Sequence, residues 1–226
     1  MPDLFDVLIV VHVACGTIGL VSGTIAAAVA KGKKLHNGSG MVFFYAMVCT
    51  GLSAIVISCL PNHHSLFLMA VGGFTLHMVL TGYRMIWLKR HQLRSDKLRA
   101  TNDWLLLFFG LGFGLFLVVM AGSTAITTKQ LFALVPGVFG LICLVFVSAD
   151  AKLISGKEII KNKWLSNHIS RMIGALVASY TAFLVVNVHI QQNWILWLLP
   201  SAVGGIVIWR FRRKYTPKRR LTAPLL

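Results

Sequence analysis

Apolar residues along this chain neither alternate nor recur on one helical face. They run on for about 20 positions at a time, the length needed to cross hydrocarbon as a helix. Seven such runs cover 5–30, 38–60, 65–88, 104–126, 131–154, 166–190 and 195–213. In lipid a helix satisfies every backbone group within its own segment. The pattern therefore predicts an all-α fold: a polytopic integral membrane protein, a bundle of seven transmembrane helices over 1–214 with a six-helix core and one peripheral helix. A basic cytoplasmic tail over 215–226 follows.

The breaks carry turn chemistry. Pro61-Asn62-His63-His64 separates runs two and three, Thr127-Thr128-Lys129-Gln130 four and five, and Gln191-Gln192-Asn193 six and seven. Asn102 and Asp103 are expected to cap the fourth helix. Trp164, Trp194, Trp197 and Trp209 fall near the expected interfaces. Asp3 and Asp6, not cations, lead into the first run, so it reads as a retained helix and not as a signal peptide.

Composition sharpens this picture. Of 226 residues, 57% are hydrophobic and 12% charged, and mean hydropathy is +0.77. A soluble domain carries roughly 25% charged residues, so a soluble enzyme, a free nucleic-acid binder and a disordered chain are all excluded. The net charge of +16 is informative through its distribution. Among 22 Lys and Arg, only Lys129 falls on the side of the N-terminus. The positive-inside rule then places the N-terminus outside and the C-terminus in the cytoplasm. The basic tail, Arg210 to Arg220, is read as topology plus attraction to anionic lipid headgroups. It lacks the stacking aromatics or folded reader that nucleic acid would need. Cys15, Cys49, Cys59 and Cys143 form no CxxC pair and read as small core side chains.

Ionisable groups within spans are costly and are candidates for function. They are His12, His77, His168, His189, Asp150 and Arg171, with His36 at the mouth of the second helix. Tyr180 and Asn187 add polar intramembrane positions. The helical rise puts His12 roughly 10 Å below the outer surface and His77 about 18 Å deep, a poor match for one shared haem. His36 and His168 share a level at the cytoplasmic end. His168, Arg171, Ala175, Ser179, Val186 and His189 lie on one face of span six; His36, Gly40, Met47, Thr50, Ala54 and Ser58 lie on one face of span two. Facing histidines at one level can clamp haem iron, another metal or a quinone carbonyl. Interfacial or packing duty is the plainer alternative for each of them. Asp150 is expected to pair with Lys152, Lys157 or Arg171. Gly19 with Gly23 and Gly110 with Gly114 are spaced for close helix approach. HExxH, Walker and nucleophile-elbow motifs are absent.

The run His12-x3-Gly16-x2-Gly19-x3-Gly23, followed by Lys31-Gly32-Lys33-Lys34-Leu35-His36-x3-Gly40, resembles an uncharacterised family of multi-span bacterial inner-membrane proteins, a domain of unknown function. Asn167-His168-x2-Arg171-Met172, Pro200 and Trp209-Arg210 are similar as well. That likeness implies a multi-span inner-membrane fold and no activity. More distantly the chain resembles the cytochrome b561-type di-haem membrane superfamily, which implies His12, His36, His77 and His168 as ligands of b-type haem.

Several histidines and few carboxylates in the helices lead to one functional expectation: an intramembrane redox protein holding b-type haem or contacting quinone. The alternatives are a small transporter or channel using His77, Asp150, Tyr180 and Asn187, and a non-catalytic membrane subunit with a protein partner or as a homo-oligomer.

Overall fold

The computed structural model describes residues 3–91, 101–129, 134–155, 160–189 and 194–216. Among them there is no strand, and seven helices are long and apolar enough to cross a membrane. They are α1 (Leu4–Ala28), α2 (Lys34–Cys59), α3 (Leu66–His91), α4 (Thr101–Thr128), α5 (Val135–Ile154), α6 (Ile160–Asn187) and α7 (Trp194–Tyr215).

The number of helices agrees with the apolar runs, but several ends move. The second helix starts at Lys34, so Asn37-Gly38-Ser39-Gly40 lie inside it and do not begin it. The reason is Gly32, whose φ of +76° supplies the reversal two residues before Lys34. The sixth helix starts at Ile160, placing Ser166 and Asn167 in its second turn. It ends at Asn187, so His189 is past the helix. Asp103 lies within the first turn of α4 and its carboxylate is taken by Arg84, so it is not an N-cap. The Asn102 and Trp194 side chains, and the tail beyond residue 216, lie outside the described residues.

Successive helices run antiparallel. At one end Phe5 of α1 stacks on His63 of the α2–α3 turn, centroids 3.7 Å apart, and Phe67 of α3 meets Trp197 of α7. At the other end Lys31, just past α1, lies 4.8 Å over the Phe211 ring of α7. Lys33, Lys34, Arg84, Lys89, Arg171 and Arg210 to Lys214 lie towards that second, basic end, whereas Lys129 ends α4 at the first.

The third helix is central. It packs against α2, α4, α5 and α6, while α1 lies on α2 and α6, α4 on α5, and α7 along α6. Phe43, Met47, Phe74, Met78, Cys143, Ala175 and Leu176 form the sealed core. Glycine sets the closest approaches. A Cβ on Gly72 would lie 2.6 Å from Ala54 Cβ, and one on Gly140 would lie 2.7 Å from the Gly114 carbonyl oxygen. Both expected glycine pairs are used: Gly23 accommodates Phe43 and Leu176, and Gly114 accommodates Leu144 and Gly140. The periphery is apolar, with Val10, Val119, Ile126 and Val145 facing outward. Such a surface suits hydrocarbon and is prohibitive in water.

Candidate functional site

Two polar centres lie inside this apolar frame, and α3 contributes to both. The first is at the basic end, where α1, α2, α3 and α6 meet. His36, in the first turn of α2, holds the Ala26 carbonyl at the end of α1 through Nδ1, at 2.9 Å. His168, on α6, holds the Gly82 carbonyl of α3 through Nδ1, at 3.0 Å. A carbonyl oxygen can only accept, so in each ring the proton is on Nδ1. Nε2 then keeps its lone pair. As whole residues both are half-buried.

The second centre is buried. His77, near the middle of α3, is 0% exposed. Its Nδ1 lies 3.5 Å from Cys143 Sγ of α5, and that thiol donates to the Gly110 carbonyl of α4 at 3.4 Å. Nε2 of His77 has no partner. It points at the bare Cα of Gly110, where a Cβ would collide with it. One and two turns further along the same face, Thr81 donates to the His77 carbonyl, and Arg84 forks onto Asp103 of α4 at 2.5 and 2.8 Å. The Arg84 guanidinium also lies 3.9 Å over the Trp87 ring.

Beside these residues, Arg171 of α6 is 0% exposed. Its Nη2 lies 2.5 Å from Asp150 Oδ1 and donates to the Phe146 carbonyl at 3.4 Å, both on α5. Nε and Nη1 have no partner. Gly82 makes room for Arg171, since a Cβ there would lie 3.1 Å from Arg171 Cβ. The Arg171–Asp150 pair joins α6 to α5, and the Arg84–Asp103 pair joins α3 to α4. The result is a ladder of polar groups from mid-bundle to the basic end.

The remaining candidates do not join either centre. His12 uses Nδ1 on the Thr50 carbonyl and Ser53 hydroxyl of α2, both at 3.1 Å. Tyr180 pairs with Thr24 of α1 at 2.6 Å, and Asn187 donates to the Phe183 carbonyl of its own helix. A polar path through His77, Asp150, Tyr180 and Asn187 is therefore not assembled. Nor do His12 and His77 share partners. Among the described residues no three His, Cys, Asp or Glu side chains converge as metal ligands.

Three participants escaped the reading of the sequence: Cys143, taken as core packing, and Arg84 with Asp103, taken as topology and cap. One signal was available, the spacing of His77, Thr81 and Arg84 at i, i+4 and i+7, which puts three polar groups on one helix face. Comparison of the chain with known protein families, with curated proteins and with solved structures finds no match.

Proposed function

We propose that this chain is a multi-pass protein of the bacterial inner membrane, N-terminus outside and C-terminus cytoplasmic. Its working centre is the His36–His168 pair, which holds a b-type haem or contacts a quinone. One observation carries the reading. Two imidazoles at the same end of the bundle are each anchored through Nδ1 to a backbone carbonyl of another helix, the arrangement that fixes a histidine to present Nε2 to a ligand. As residues both are half-buried, unlike His77.

The four-histidine set of the di-haem resemblance fits only in part. His77 does not fit, because its free nitrogen is closed off by Gly110 and Val147 lies against the same spot. Among the described residues His12 contacts Thr50 and Ser53 and no second histidine. His36 and His168 are the two that would hold such a group, each through the nitrogen opposite its carbonyl anchor. A haem held there supplies reversible one-electron chemistry. The chain's own part is to fix the two rings and their tautomers, and to set cations such as Lys31 nearby that stabilise added negative charge.

The test is an absorption spectrum of detergent-purified protein, with iron and quinone analysis on the same sample. A Soret band lost in both H36A and H168A, and retained in H77A, is expected. A preparation with no Soret band, no iron and no quinone ends the redox reading.

A second reading, a small carrier or channel, draws on the buried nitrogens of Arg171 and His77 that lack partners. Buried polar groups without protein partners are commonly satisfied by water, and a file of water in the ladder would conduct. Proteoliposomes showing no pH-dependent flux would remove it.

A further inference from the structure

At the basic end an open groove runs between α1 and α2, with a volume of about 610 Å³, lined by Ser22, Ile25, Lys34, Leu35, Gly38 and Val42. That volume falls within the roughly 300–1,000 Å³ of ligand pockets. From Lys34 to Val42 it follows α2 for about 12 Å. The walls are effectively apolar: Ser22 turns its hydroxyl back to the Ile18 carbonyl, and Ser39, beside Gly38, turns its own to the Leu35 carbonyl.

The mouth is strongly positive. Lys33 and Lys34 are exposed there. Lys31 is bonded to the carbonyls of Ala26, Ala27 and Val29 at the end of α1. Burial and the neighbouring Lys214 hold its amine below the usual lysine range. Among the described residues this end has no unpaired carboxylate. Of the six carboxylates in the chain, Asp103 and Asp150 are committed to Arg84 and Arg171, and Asp3 and Asp6 sit at the opposite end. Asp96 and Glu158 lie outside the described residues. The first N–H groups of α2 also lack a side-chain cap.

We infer that this groove is a binding site for an anionic phospholipid, with an acyl chain along Ile25, Leu35, Gly38 and Val42 and the phosphate on Lys33 and Lys34. An apolar trough leading to exposed cations matches both halves of such a lipid, and a zwitterionic lipid matches only the first. The inference rests on the membrane reading above and is independent of the histidine pair.

Native mass spectrometry of the detergent-solubilised full chain tests it, using phosphatidylglycerol and phosphatidylcholine with identical acyl chains. At about 1 kcal/mol per lysine near a charged headgroup, the anionic lipid should bind at least about tenfold more tightly. K33Q/K34Q should abolish that preference. Gly38 has open space around it, so G38W should fold and should displace both lipids by filling the trough. Millimolar inorganic phosphate should not compete. Equal retention of the two lipids, unchanged binding in G38W, or displacement by phosphate alone would overturn the site. So would a dimer that G38W dissociates, which would give the groove to a second copy. Alkaline carbonate separates the two levels of failure. A chain that it releases from membranes overturns the membrane reading. A chain that stays bound yet shows no lipid preference overturns only the groove.

Discussion

Arg171 of α6 and Asp150 of α5 meet at 2.5 Å, with the guanidinium wholly buried and two of its nitrogens without partners. Removing one member of such a pair strands the other charge in an apolar interior. R171L is expected to cost about 3–5 kcal/mol, and D150L/R171L to recover most of it, since replacing both charges by apolar groups is often neutral. R171K should keep much of the stability, because a single nitrogen, Nη2, serves both Asp150 and the Phe146 carbonyl and a lysine ammonium can also donate to both. Unfolding in mixed micelles measures all three. A double variant as unstable as R171L would show that the polar contacts outweigh the stranded charge.

Gly110 and Gly112 lie two positions apart on α4 but on different faces. A methyl on Gly110 would meet His77 Nε2 and come within 2.8 Å of Val147 Cγ2, whereas one on Gly112 would meet nothing within 4 Å. G110A should therefore destabilise by about 1–3 kcal/mol through overpacking. G112A should be neutral or stabilise by up to about 1 kcal/mol from helix propensity. Equal melting shifts for the two would mean that α4 does not approach His77 as described.

How much of this was legible in the sequence follows from the range of each cause. Lipid-spanning length is local, so seven helices could be counted directly. Helix ends depend on one backbone torsion, and Gly32 was not distinguishable from Gly38 or Gly40 as the residue that turns. Asp150 could be given a basic partner, Lys152, Lys157 or Arg171, because so few carboxylates occupy the chain, and the fold selects Arg171. Asp103 looked like a cap because its partner Arg84 lies 19 residues away on another helix. The contact of His77 with Cys143 spans 66 residues and depends on Gly110 letting α4 close in, which no local pattern encodes. His36 and His168 were legible as a level, but their carbonyl anchors were not.

Thr24 and Tyr180 make a 2.6 Å bond between α1 and α6 while Thr24 also donates to the Leu20 carbonyl of its own helix. Interhelical polar contacts in membranes are modest. A T24V/Y180F double-mutant cycle should give a coupling of about 0.6 kcal/mol. A coupling near zero would leave the α1–α6 contact to packing at Gly23 alone.

The cysteines provide a direct test of sidedness. Cys59 is exposed at the end of α2 opposite the basic cluster, Cys15 and Cys49 are half-buried within their helices, and Cys143 is sealed in the core. Only a hydrated thiol reacts quickly with a charged maleimide, because the attacking species is the thiolate. With the N-terminus outside, Cys59 faces the external side. A membrane-impermeant maleimide should label it in cells whose outer membrane has been opened and whose inner membrane is intact. In a C59S background, Arg213→Cys places a thiol at an exposed position of the basic end, and it should react only after lysis. The inverse result, Arg213→Cys labelled in intact cells and Cys59 protected, would turn the bundle over. It would also put His36, His168 and the groove beside Lys34 on the external face, away from cytoplasmic electron donors and the inner lipid leaflet.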